Sequence, residues 1–135
     1  MSKTSLCPCG AQKKYSDCCE QIISGKTQAE TAEQLMRSRY CAFIEKNMAY
    51  VQATTDPQTR FDYDIEANKK WAEDSEFEGL EILKTAVEGN KATVEFKATF
   101  RSISEAKTHV HHEISKFRKQ GGVWYFRDGK VLSEV

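Results

Sequence analysis

Proline is nearly absent from this 135-residue chain, which has only Pro8 and Pro57. No internal repeat or low-complexity tract occurs either, so little of the chain has linker character. Excess charge is also missing: 20 Lys and Arg balance 20 Asp and Glu. No overall field therefore draws the protein onto nucleic acid or an anionic bilayer, and only a local basic patch could do so. No stretch approaches the ~18 apolar residues of a membrane span, and the opening MSKTSLCPC lacks the apolar run of a secretion signal. The expectation is a soluble, cytoplasmic protein that does not engage membranes. Neither a glycine-rich phosphate loop nor a serine in a nucleophile elbow is found. The length suits one ordinary domain with a small appendage, burying roughly two thirds of its unfolded surface.

What the chain does have is cysteine, concentrated at one end. Cys7-Pro8-Cys9-Gly10 and then Cys18-Cys19 hold four of its five cysteines. A pair separated by one residue, a gap of eight and an adjacent pair form a set that a short turn can fold onto one point. Such a point suits tetrahedral zinc at about 2.3 Å from each thiolate, a closed site with no position left for water or substrate. Pro8 stiffens the first turn and Gly10 lets the backbone bend after the second sulfur. Four thiolates around a divalent cation leave about two negative charges, which Lys3, Lys13 and Lys14 lie close enough to offset. Two disulfides or unligated thiols are the other readings. Adjacent cysteines bridge poorly to each other, and nothing sends the chain to an oxidising compartment.

CPCGAQKKYSDCC resembles the SEC-C motif, a cysteine-rich zinc module named from the C-terminal tail of the SecA translocation ATPase. The motif runs Cys-x-Cys, eight residues, then Cys-Cys or Cys-His, with Gly-Ser-Gly-Lys-Lys-Tyr typical of its middle. Gly10, Lys13, Lys14 and Tyr15 match, whereas Ala11 and Gln12 depart between the ligands. LMRSRYCAF at 35–43, HHEISKF at 111–117 and GVWYFRDG at 122–129 extend the likeness to the YchJ family of uncharacterised bacterial proteins. Members often carry a second SEC-C motif at the C-terminus, and this chain stops at Val135 without one.

From Thr31 to about Lys46, Ala32, Met36, Tyr40 and Phe43 recur at helical spacing, flanked by Leu35 and Ile44. Arg39 falls within that stripe, Arg37 at its edge and Cys41 behind it. Cys41 therefore reads as a structural or partly exposed thiol outside the metal set. A guanidinium aimed at a core must be paired or must snorkel outward; pairing with Glu113 is the expectation. Shorter helices are predicted over Met48–Ala53, from Asp56-Pro57, and over 62–75. Phe61, Tyr63 and Trp71 read as a lid on the core more readily than as a cofactor site.

The period then changes to two. A strand is predicted over Leu80–Val87, a turn at Gly89-Asn90 and a strand at 91–102 that buries Ala92, Val94, Phe96, Ala98 and Phe100. A third strand runs from about His109 to Lys119. Gly121-Gly122 turns into Val123–Arg127, and Asp128-Gly129 turns once more before Val131-Leu132. Helices followed by an antiparallel meander make an α+β fold. The family resemblance implies a cone, similar to nuclear transport factor two and to cystatins, in which a curved sheet wraps the long helix. It divides the chain into a zinc-binding motif at 1–25 and an α+β domain at 26–135.

The cone implies a pocket, with Arg39, Tyr40, Trp71, Glu113 and Ser115 as its candidate lining. His111 and His112 point to opposite faces of a strand and cannot readily share an ion, whereas His109 and His111 could. No recognisable catalytic motif surrounds Glu113, the histidines, Tyr40, Tyr63 or Tyr125. The leading reading is a zinc-binding protein that contacts another protein, since the SecA tail uses its zinc turn to bind a chaperone. The rival is an enzyme acting on a small polar molecule around Arg39 and Glu113. Nucleic-acid binding is weaker, because few basic residues cluster and no stacking platform is evident.

Overall fold

The computed structural model describes residues 5–134. In chain order its helices are α1 (Cys19–Ile23), α2 (Ala32–Glu45), α3 (Met48–Ala53) and α4 (Ile65–Glu73). The strands are β1 (Ser75–Glu88), β2 (Lys91–Ser102), β3 (Lys107–Gln120) and β4 (Val123–Glu134), with 3-10 turns at Tyr15–Asp17 and Arg60–Asp62. Polar side chains start the main helices. Thr31 Oγ1 accepts from the Gln34 amide at 3.1 Å, Asn47 Oδ1 from Tyr50 at 3.1 Å and Asp64 Oδ1 from Ala67 at 3.0 Å. Each satisfies a donor that the helix cannot, worth about 1 kcal/mol apiece. Lys46, left-handed at φ 58°, ends α2, and Asn47 starts α3 at once.

The sheet is an antiparallel meander in the order β1-β2-β3-β4. Along β2, Ala92, Val94, Phe96, Ala98 and Phe100 are all buried, as the alternation requires. Their packing partners include Leu35, Met36 and Tyr40 of α2, with Phe117, Trp124 and Phe126 from the later strands. Register shifts interrupt the β1–β2 pairing at Phe77/Gly79 and Ile82/Lys84, and the β3–β4 pairing at His112/Glu113 and Lys116/Phe117. Bulges of this kind bend a sheet and increase its twist. This one curves around α2, giving the α+β cone with the cysteine cluster at its N-terminal end.

Four expectations need correction. β1 starts at Ser75, not Leu80, because Ser75–Phe77 pair with Phe100–Ser102 and Phe77 is the lone apolar residue among acids there. β4 does not turn at Asp128-Gly129 but runs through, with Gly129 opposite Ser115. A Cβ at Gly129 would overlap the Glu113 carboxylate, so this glycine makes room across a ladder and breaks no strand. Phe61 is 81% exposed and belongs to no lid. Asp56-Pro57 opens an irregular turn, and the one-turn helix beyond it begins only at Arg60.

That turn is tied to the sheet by a buried acid that periodicity could not reveal. Asp56 is fully buried, and Arg118 grips its carboxylate in a fork of 2.7 and 2.8 Å. Arg127 adds a contact at 3.2 Å and the Gln58 amide one at 2.9 Å. Main-chain bonds from Asp56 to the Phe126 carbonyl and from Phe126 to the Thr54 carbonyl close the seam. The Arg118 fork holds the Asp56 carboxyl down at about 2 despite its burial. A carboxyl depressed in the folded state contributes stability that is present above its unfolded value near 4 and lost as pH falls through about 2. We expect Asp56→Asn to cost about 2–3 kcal/mol in urea denaturation at neutral pH, between an exposed pair and a buried one. The gap between variant and parent should narrow as the titration is carried from pH 5 toward pH 2.

Candidate metal centre and cavity

The first site is built from the turn 5–19. The Cys7 amide donates to the Lys13 carbonyl at 2.7 Å and the Tyr15 amide to Ser5 at 2.9 Å, folding the segment back on itself. Gly10 turns the chain at φ 86°, where an added Cβ would meet the Leu80 carbonyl oxygen at 3.4 Å. The Sγ atoms of Cys7, Cys9, Cys18 and Cys19 then lie within 4.8 Å of one another. Four sulfurs at about 2.3 Å from one ion would stand about 3.8 Å apart. Cys9 to Cys18 is 3.7 Å and Cys18 to Cys19 is 4.0 Å. All five cysteines are unbridged, and three of the four in the set are buried. The donor set therefore fits a metal ion bound by four thiolates. Thiol-to-thiol bonding from Cys19, then Cys41, pulls Cys7 down to about 6, whereas burial raises Cys18 to about 11, so the metal-free sulfurs do not share one protonation state.

Three contacts fix this turn to α2. Arg37 donates to the Cys9 carbonyl while its Nε reaches Glu33 at 3.0 Å. The Tyr15 hydroxyl donates to Glu45 at 2.7 Å. Cys41 is completely buried with its sulfur 3.5 Å from that of Cys7. Its expected place behind the helix stripe is correct, but that side faces the cysteines and not solvent, so no part of the thiol is exposed. Lys13 and Lys14 project outward, and Lys3 lies outside the described residues.

The second site is a cavity of about 550 Å³ between α2, α4 and the concave face of the sheet. Arg39, Tyr40, Trp71, Glu113 and Ser115 all line it. Sequence reasoning left out Tyr63, His111, Asp62, Asp128 and Gly129 as lining residues. The last three could not have been found by period, because the mouth is made of loop and bulge. Tyr125 and His112 are not among the lining residues. His112 bonds Glu95 at 2.8 Å, and His109 bonds Glu105 at 3.1 Å while stacking on Phe100, so each ring has a protein partner of its own.

Arg39 points inward, 2% exposed, but it does not pair with Glu113. Its Nη1 donates to the Val51 carbonyl at 2.8 Å and to the hydroxyls of Thr54 and Thr55 at 2.7 and 3.4 Å. Nη2 donates to the Tyr63 hydroxyl at 3.3 Å, and the guanidinium lies 4.4 Å from the Phe126 ring centre. The C-terminal end of α3, with the Val51 carbonyl and two hydroxyls that themselves donate to it, takes the place expected of a carboxylate. Burial lowers the Arg39 pKa, partly countered by Tyr63 and Tyr50. Glu113 meanwhile accepts from His111 at 2.8 Å and from Ser115 at 2.6 Å. Burial pushes its carboxyl up, yet His111, Ser115 and the more distant Arg39 outweigh that and hold it below its ordinary range.

A SEC-C-type cysteine turn fixed to a cone of the nuclear transport factor two type defines the class. Residues 31–129 match the model described as the YchJ middle NTF2-like domain, and residues 4–21 match the SEC-C motif. The chain belongs to the YchJ family, whose curated members are named UPF0225 proteins. It is 46% identical over 129 residues to UPF0225 protein GSU1048 of Geobacter sulfurreducens, covering 93% of this chain and 79% of that one. The solution structure of RPA3114, a SEC-C motif containing protein from Rhodopseudomonas palustris, superposes with a TM-score of 0.87 at 40% identity, covering 96% of this chain and 100% of that one. The crystal structure of a SEC-C motif containing protein from Psychrobacter arcticus gives a TM-score of 0.81 at 32% identity, covering 98% and 86%.

Two outcomes follow from this geometry. Arg39→Met should destabilise by about 2–4 kcal/mol, since it strips four oxygens of a charged donor inside a core. Because Glu113 keeps His111 and Ser115, adding Glu113→Gln should give nearly additive losses, with a coupling below about 1 kcal/mol in a double-mutant cycle. The other concerns Gln12, which holds φ 61° where the SEC-C pattern typically has glycine. Gln12→Gly should raise the melting temperature, by the equivalent of about 0.5–1 kcal/mol, without changing the bound metal.

Proposed function

We propose that the chain is a cytoplasmic zinc protein whose SEC-C turn is a structural module for contacting a protein partner. The observation that carries this is the closed set of four sulfurs: a tetrahedral ion there keeps no position for a substrate, so its use is to hold a surface in shape. The exposed Lys13 and Lys14 stand on that surface. Zinc is favoured by an all-thiolate tetrahedron. Unbridged cysteines suit a reducing compartment, and among the described residues no helix is long and apolar enough to cross a membrane. A balanced net charge argues against nucleic acid as the partner.

A second reading rests on the cavity, where an ionised carboxylate and a guanidinium line an open, largely aromatic space. It is a site for a small polar molecule, with or without turnover. Nothing in the cavity forms an activated nucleophile, so binding is favoured over catalysis.

Metal analysis of purified protein should give one zinc per chain, retained by Cys41→Ser and lost by Cys18→Ser. Chelation should disorder the cysteine turn but leave the sheet's circular dichroism, because the α2–sheet core is separate from the sulfur cluster. A pull-down with intact chain and with Cys18→Ser tests the interaction: a partner lost only with the zinc ligand supports it, and partners unchanged by the substitution overturn it.

A further inference from the structure

The charges inside the cavity differ in how much bonding capacity they have left, and that difference selects a ligand. Arg39 is the cation nearest the floor, but its guanidinium already donates to four oxygens and rests on Phe126. It has little to offer an incoming anion. Arg127 at the rim is committed through Nη1 only, to Asp56 at 3.2 Å and Gln58 at 2.9 Å, and its charge is already shared with the Asp56 carboxylate.

The carboxylates are less occupied. An ionised carboxylate can accept about four hydrogen bonds, and Glu113 receives one from His111 and one from Ser115, leaving each oxygen with a free lone pair. Its side chain remains 16% exposed, through the cavity. Gly129, on the neighbouring strand opposite Ser115, places no side chain over it. Asp62 and Asp128 line the same space, and neither side chain has a hydrogen bond or ion pair among the described residues. The walls between mouth and floor are ring faces and edges, chiefly Trp71, Phe77 and Tyr63.

We propose that the cavity is a binding site for a small flat cation of the amidine or aminoheterocycle class, which donates N–H to Glu113 and lays its ring against Trp71 and Phe77. This rests on the second reading above, that the cavity takes a small polar molecule. Asp62 and Asp128 favour the entry of positive charge, Glu113 fixes its orientation, and the aromatic walls supply apolar contact and cation–π attraction. An anion would meet three carboxylates against two guanidiniums, one buried on four oxygens and the other already tied to Asp56. A volume of about 550 Å³ holds a one- or two-ring molecule.

The test is titration of the zinc-loaded full chain with benzamidine, benzoate and benzyl alcohol, followed by NMR of the two indole N–H signals. Trp71 lines the cavity, whereas Trp124 is buried in the core and serves as the internal control. Benzamidine should shift the Trp71 signal saturably and leave Trp124 still, with benzoate weaker by roughly tenfold or more, the worth of a charge-assisted bond. Glu113→Gln should remove that preference. Gly129→Ala, which keeps the charge but forces the carboxylate aside, should weaken benzamidine as well and serves if Glu113→Gln does not fold. Equal or tighter binding of benzoate overturns the cationic class while leaving a ligand cavity. Undiminished benzamidine binding in either folded variant overturns the role of Glu113. Failure of all three probes to move Trp71 overturns both the class and the cavity reading beneath it.

Discussion

Helix α2 is covered on three sides through its middle turns, with only Gln34 and Glu45 near its ends exposed, and the rest of the structure depends on that enclosure. The sheet covers Leu35, Met36 and Tyr40, the α3–α4 layer covers Ala42 and Phe43, and the cysteine turn covers Cys41. An amphipathic helix ordinarily leaves one face to water. Here the face opposite the sheet is roofed by a metal-binding segment too short to own a core, which must borrow the helix for support. The segment's docking is therefore as much a property of Arg37, Cys41 and Glu45 as of the cysteines themselves.

Burying a helix so completely forces its polar residues to find partners within the protein. Ser38 bonds the Tyr50 hydroxyl at 2.7 Å, and Arg39 crosses to the end of α3. The two buried charges of opposite sign, Arg39 and Glu113, each have their own neutral or partly charged partners and influence one another only at a distance. A direct ion pair would have consumed both and closed the floor. Kept apart, they leave a polar cavity whose carboxylate is still available.

One helix thus serves two sites. At about 100° per residue, Arg37 and Cys41 turn toward the sulfurs while Met36, Arg39, Tyr40 and Phe43 turn toward the cavity. The seam at Asp56 has a similar economy. One buried carboxylate, held by Arg118 and Arg127, ties the loop between the short helices to the middle of β4 and so sets the far rim of the cavity.

What was readable from the chain alone is whatever depends on local spacing. The four cysteines, the helix stripe and the clean alternation of β2 are periodic or clustered, and a turn, a helix and a strand follow from the geometry of the backbone. The inward direction of Arg39 and the shared face of Glu113, Ser115 and Phe117 follow in the same way. Partners across the fold do not. Glu113 was the expected mate of Arg39 because a carboxylate is the obvious one, yet the end of α3 reaches it first. Asp128-Gly129 carries a turn signal, yet the strand needs a residue without a side chain where the Glu113 carboxylate lies over it. Asp56 gives no periodic sign of being buried between two arginines. Cys41 was placed on the correct side of its helix, but only the packing of a distant segment determined that this side was interior. Period fixes which way a side chain points, and tertiary structure decides what it finds there.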